Sequence, residues 1–206
     1  MGAGPVPVSD SGLHPAEHRA LRELHAMFRR LANHWRRLAD RLGGPPATPL
    51  RDGAATARGL VRELESETAS RGLHGFPAAQ GAGAQLATLR NVGDVVLERN
   101  QALRLAVLDA DHVLTLLLYL EALATGRQDA GLAAVHRRWI EQVEDARDAV
   151  RDAAIALANH PEDALLPAEP SLVGRAGQSA ANLVGTLGEA FDGSALGAAA
   201  RRRAGR

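Results

Sequence analysis

The sequence contains neither cysteine nor lysine, and aromatic side chains make up only 3% of its 206 residues. Without cysteine there is no disulfide and no thiolate metal site. Without lysine, arginine carries all the positive charge, 24 residues balanced by 24 aspartates and glutamates. The formal net charge of zero removes any whole-molecule attraction to nucleic acid or an anionic membrane. Scarce aromatics leave an aliphatic core of Leu, Val and Ala. That core suits helix packed on helix better than strands, which draw on β-branched and aromatic residues. Met1 to Asp10 has no basic start followed by an apolar run, so no signal peptide is expected and a cytoplasmic location is.

What the sequence does contain is helical periodicity. Leu21, Leu24, Phe28, Leu31, Trp35, Leu38 and Leu42 follow one another at spacings of three and four, which aligns them on one helix face. Pro15 suits a helix start, and Gly43-Gly44-Pro45-Pro46 marks the stop. A second helix is expected from Thr48-Pro49 to about Gly72, on a face of small residues. The third periodic stretch runs from Ala84 to about Thr125 through Leu86, Leu89, Gly93, Val96, Asn100, Leu103, Val107, Ala110, Leu114 and Leu117. Its second half is apolar nearly all round, the mark of a central, buried helix. Arg104, Asp109, Asp111, His112 and Glu121 interrupt it, so it is no membrane span. Leu132, Val135, Trp139, Val143, Ala146, Val150, Ala153 and Leu157 form a fourth stripe from about Asp129 to Asn159. The short turn at Gly126 predicts an antiparallel hairpin of helices three and four.

The expected fold is therefore all-α, an antiparallel bundle of four long helices with a shorter C-terminal fifth. Residues 1–14 read as a flexible N-terminus and 15–160 as the bundle. Residues 161–192 read as a loop, Pro161 to Pro170, followed by an accessory helix capped by Ser171. Residues 193–206 read as a disordered Arg-rich tail. Leu172, Ala176, Leu183, Leu187 and Phe191 line the fifth helix, whose glycines make it dependent on a docking surface.

Chemistry-bearing residues are sparse. His14, His18 and His25, with Glu17, sit on the first helix as candidate metal ligands, against a reading as solvated surface histidines. Glu17-His18-Arg19-Ala20-Leu21-Arg22 resembles the opening of hemerythrin-like domains, which would imply a bound iron pair. That pattern wants a glutamate four residues after later histidines, and Ala78 and Ile140 stand there after His74 and His136. No metal or other cofactor is therefore expected. Arg104, Asp109, Asp111 and His112 lie in the most apolar helix and are the candidate ligand pocket. The competing account is a structural polar network, since buried charges need partners. Gly81-Ala82-Gly83 lacks the strand and lysine of a nucleotide loop, and no serine sits in a Gly-x-Ser-x-Gly frame.

Arg22, Arg29 and Arg36 recur every seventh residue and form a basic row, with Asp145, Asp148 and Asp152 as intramolecular partners. Asn100 falls on the seam of helix three, where an asparagine can set register or partner number. With Leu183, Leu187 and Phe191 these are the candidate interaction residues. The expectation is a non-enzymatic protein mediating protein–protein interaction or assembly, by self-association or within a larger complex. No specific nucleic-acid binding is expected. The alternative is a bundle with an internal polar pocket for a small ligand or metal, acting as a sensor or enzyme.

Overall fold

The first helix, α1 (Pro15–Leu42), falls where the periodicity places it. His14 caps it: Nδ1 accepts the Ala16 amide at 3.1 Å, and the Glu17 carboxylate accepts the His14 amide at 2.8 Å. Together these satisfy amides that a helix start leaves without partners. The computed structural model describes residues 13–71 and 97–168. Expectations for residues 1–12, 72–96 and 169–206, including the fifth helix at 171–192, lie outside the described residues.

The second helix, α2 (Gly44–Ser70), starts earlier than Thr48. Gly43 and Gly44, both at φ 59°, reverse the chain in a backbone conformation that L side chains rarely adopt. Pro45 and Pro46 then occupy the first turn, where a missing amide costs nothing. The residues that read as a terminator are also the next helix's start. Pro49 lies inside α2 and forfeits one intrahelical bond.

The third helix, α3, spans Arg99–Gly126, 28 residues. It does not continue back through Leu97. Glu98 is its extended N-cap, with its amide donated to Gln101 Oε1, so the seam predicted as continuous from Ala84 is broken there. Asn100 is consequently a first-turn residue, half-buried. After Arg127, Gln128 at φ 62° and Asp129, α4 (Ala130–Ala156) completes the expected hairpin. The stretch read as a loop from Pro161 begins instead with a single helical turn, α5 (Pro161–Ala164), preceded by a 3-10 turn at Leu157–Asn159. Proline at its first position again explains the start.

Helix α1 packs against α2 and α3, and α4 packs against α2 and α3, so α1 and α4 face each other across a diagonal. Every neighbouring pair is antiparallel. Along α1, Glu17, His34 and Leu42 meet Arg127, Asp109 and Arg99 of α3 in descending order. Along α2, Glu63 and Arg71 meet Arg138 and Asp129 of α4. The end of α2 and the start of α3 therefore lie at opposite ends of the bundle, an arrangement that needs a long crossover connection.

Two tryptophans tie the helices together. Trp35 of α1 donates its indole N–H to the Ala106 carbonyl of α3 at 3.3 Å, and Gly53 of α2 sits against its ring. Trp139 of α4 donates to Glu63 Oε2 of α2 at 2.9 Å and meets the Phe28 ring of α1 edge-on at 6.3 Å. Both are fully buried. Around them the core is almost wholly Leu, Ala and Val, as the composition requires. Glu63→Leu would strand the buried Trp139 N–H, and we expect a loss of about 1.5 kcal/mol in urea unfolding. Arg138→Ala, which removes a guanidinium more than half exposed, should change stability little by the same measurement.

Candidate functional site

The expected pocket residues do not share a site. Asp109 turns toward α1, where His34 Nδ1 donates to it at 2.9 Å and Arg30 stands 4.0 Å away. Asp111 turns the other way and accepts from Arg147 of α4 at 3.3 Å. Arg104 and His112 are exposed on the outer face. A two-residue separation on a helix points side chains about 200° apart, so Asp109 and Asp111 join different neighbours.

The metal candidates are likewise dispersed. His14 caps α1, and His25 donates Nε2–H to Glu65 Oε1 of α2 at 3.0 Å. His18 is half-buried. Glu17 is 1% exposed and bound to Arg127. Among the described residues no three His, Asp or Glu side chains are grouped to hold a metal ion. The basic row is real as a surface: Arg22, Arg29 and Arg36 are all exposed on α1. Its suggested acidic partners are across the diagonal, and Asp148 pairs with Arg147 and Arg151 of its own helix.

Two other features stand out. The first is a polar network at the end of the bundle where α1 and α4 begin and α2 and α3 finish. Arg127 links Glu17 to Asp129, at 3.1 Å to each. Arg71 links Asp129 at 2.8 Å to Glu67 at 2.9 Å. Glu17 and Asp129 sit at helix starts and Arg71 and Arg127 at helix ends, each favourable with its helix dipole, while Glu67 lies in the last turn of α2. The amide of Leu132, then Arg71 and Arg127, hold the Asp129 carboxyl below its ordinary range against the opposing effect of burial. Facing this network from α4 is His136, wholly buried, with both ring nitrogens lacking a hydrogen-bond partner. Burial pushes its pKa down to about 4, while Glu17 and Glu67 pull the other way. Its ring lies 5.7 Å from that of Trp139. The sequence signal was available: His136 follows Leu132 by four and precedes Trp139 by three, so it belongs to the apolar stripe.

The second feature is the outer face of α3. This helix is not central, because a four-helix bundle places every helix at a corner with one side open. Val113, Leu114, Leu117 and Leu120 are buried, but Leu108 is 54% exposed, Leu118 53% and Tyr119 48%. Leu108, His112, Thr115 and Tyr119 follow at spacings of four and three in one outward row, with Leu118 flanking it. The other exposed large hydrophobic residues among the described residues, Ile155, Leu165 and Leu166, lie at the end of α4 and just after α5. Leu166 is anchored beside the start of α3, its carbonyl accepting from the Arg99 amide at 2.9 Å. None of the exposed large hydrophobic side chains lies on α1 or α2. Among the described residues no helix is long and apolar enough to cross a membrane. No protein-family model, curated protein or solved structure matches this chain.

Proposed function

We propose that this protein is a helical-bundle interaction module that docks other protein surfaces, in the first instance another copy of itself, through the outer face of α3. The observation that carries this reading is the segregation of exposed apolar side chains to that face and the chain beside it. Large hydrophobic side chains facing solvent, here Leu108, Leu118 and Tyr119, are unfavourable in water and favour a partner that covers them. Tyr119 supplies an aromatic body with a hydroxyl tip, a residue type enriched at protein interfaces. Arg104, His112 and Thr115 are exposed among these apolar residues and give the face polar contacts. A non-enzymatic role in the cytoplasm belongs to the same proposal.

The test is the pair Leu118→Arg and Tyr119→Asp. Neither side chain is in the core, so helical content and unfolding midpoint should be retained. Self-association, measured by sedimentation velocity and native mass spectrometry, should weaken at least tenfold. Unchanged association in both variants sinks the proposal.

A second reading, a bundle holding a small polar ligand, is favoured by the unpartnered nitrogens of buried His136. Native mass spectrometry separates the two readings: extra small-molecule mass on a single chain supports the ligand, and multiples of the chain mass support assembly.

A further inference from the structure

Opposite corners of the bundle carry opposite charge, although the chain as a whole is neutral. On α1 five exposed arginines stand against Glu23 and Asp40. On α4 the balance is reversed between Glu141 and Asp152, with five acids against Arg147 and Arg151. Both of those arginines are taken up by Asp148, and Arg147 also reaches Asp111. Among the described residues Arg22, Arg29 and Arg36 make no ion pair, and neither do Glu141, Glu144, Asp145 and Asp152.

The two sets share a repeat. Arg22, Arg29 and Arg36 recur every seven residues, about 10.5 Å along the helix axis, and Asp145 and Asp152 are separated by the same step. Seven positions return to within about 20° of the starting direction, so each set faces one way. Ala26 and Asn33, exposed between the arginines, are short and leave room for a neighbouring helix. A helix laid along the row can set Asp145 and Asp152 opposite two arginines at once. Within one chain that pairing is barred. Helices α1 and α4 stand at diagonal corners and turn their exposed faces in opposite directions.

We propose that the Arg22, Arg29 and Arg36 row of α1 docks on the acidic face of α4 in a second copy, with Asp145 and Asp152 receiving two of its arginines. The contact is heterologous: one face of each copy engages the other face of the next, so copies can add in a row. It goes beyond the α3 face and does not rest on that reading. Exposed guanidinium–carboxylate pairs are individually weak and screened by salt. The contact is therefore a low-salt one, made by several pairs together. A second copy fits both faces, whereas a polyanion drawn to α1 is repelled by the acids of α4.

The absence of cysteine permits a site-specific test. One chain carries Asn33→Cys on α1, another Ala149→Cys on α4, and a third Ser66→Cys on α2 as control, all at exposed positions. All three also carry Leu118→Arg and Tyr119→Asp, which remove the α3 face from the experiment. In about 0.01 M salt, where charges act over about 30 Å, a short bis-maleimide should join the Asn33→Cys chain to the Ala149→Cys chain. The yield should be at least tenfold above that of either chain with itself or with the Ser66→Cys chain. It should fall at least tenfold in about 1 M salt, and equally when the first chain carries Arg22→Glu, Arg29→Glu and Arg36→Glu. Adding Glu141→Arg, Asp145→Arg and Asp152→Arg to the second chain should then restore it. Cross-linking no better than the control overturns the proposal, as does a yield indifferent to salt or to the arginine row. If the control yield is accompanied by binding of a DNA duplex or phosphatidylserine vesicles through the row, a polyanion is its partner and the proposal is equally overturned. The α3 reading fails separately, when Leu118→Arg with Tyr119→Asp leaves self-association in about 1 M salt unchanged.

Discussion

Gly53→Val is expected to cost the bundle about 3 kcal/mol, although glycine is a poor residue for the middle of a helix. Gly53 is buried in α2, and a Cβ built there would clash with Cζ3 and Cε3 of the Trp35 ring. The ring has no room to yield. Trp35 is wholly buried, and its indole N–H is committed to the Ala106 carbonyl. Any rotation that clears the new methyl groups breaks that bond or opens the core, and overpacking of this kind costs about 1 to 3 kcal/mol or more. Alanine at the same position is opposed by the same ring. It recovers about 1 kcal/mol of helix propensity, so its net loss is smaller, about 2 kcal/mol. Gly59, six residues on in the same helix, is the control: nothing lies within 4 Å of its added Cβ. Gly59→Ala should therefore raise stability by up to about 1 kcal/mol. Urea unfolding of the three variants decides the matter. A Gly53→Ala protein more stable than the parent would mean that α1 and α2 are not in the close approach described.

The same glycine illustrates how far the sequence reaches. The stripe from Leu21 to Leu42 predicts α1 to the residue, because each apolar position is a three- or four-residue step and local spacing alone decides the buried face. The small face of α2 says only that something comes close. That the something is Trp35 depends on which helix lies alongside, and periodicity carries no information about neighbours. The continuous seam from Leu86 to Leu117 misled for a related reason. Spacing persists across Leu97 and Glu98, yet those residues are held extended by Leu166 to Ala168, a tertiary contact that overrides it. The apolar second half of α3 invited the inference of a central helix. Four helices arranged as corners have no centre to offer, so Leu108, Leu118 and Tyr119 remain outside.

The polar residues show the same division. Asp109 and Asp111 are legible as charges in an apolar helix, but their separation by two positions already implies opposite directions. Their partners, His34 and Arg147, come from helices on either side. Glu17, His25 and His136 each occupy a stripe position, three or four residues from buried Leu21, Phe28 or Trp139. Reading the stripe as apolar residues only passes over them; reading it as geometry finds all three. Glu17 and His25 have partners on neighbouring helices, and His136 is left as the group whose burial has a consequence in solution.

That consequence is a loss of stability in mild acid, expected to reach about 3 kcal/mol by pH 4 from His136 alone. Burial lowers its pKa in the folded chain to about 4 from 6.5. Between those values the unfolded chain takes up a proton that the folded chain refuses, so stability falls as pH falls through 6.5 and levels off below 4. The proton uptake corresponds to about 2 kcal/mol lost between pH 7 and pH 5. The groups facing His136 are Glu17 from α1, Glu67 and Arg71 from α2, and Glu121 from α3. The three carboxylates favour the charged imidazole and Arg71 opposes it, and burial outweighs them all. Glu63 and Asp129 act in a lower window. Hydrogen bonds from Trp139 and Arg138 lower Glu63, and Leu132 heads the causes for Asp129. Their stabilisation is complete above about pH 4.5 and is lost as pH falls through their lowered values. His136→Leu keeps a similar volume and removes both unpartnered nitrogens. It should therefore be at least as stable as the parent at pH 7 and about 2 kcal/mol more so, beyond any difference at pH 7, by pH 5. Guanidinium unfolding at half-unit steps from pH 7 to pH 4 measures the difference directly. Parallel curves for parent and variant would place His136 in contact with water, and with it the end of the bundle that Glu17 and Arg127 close.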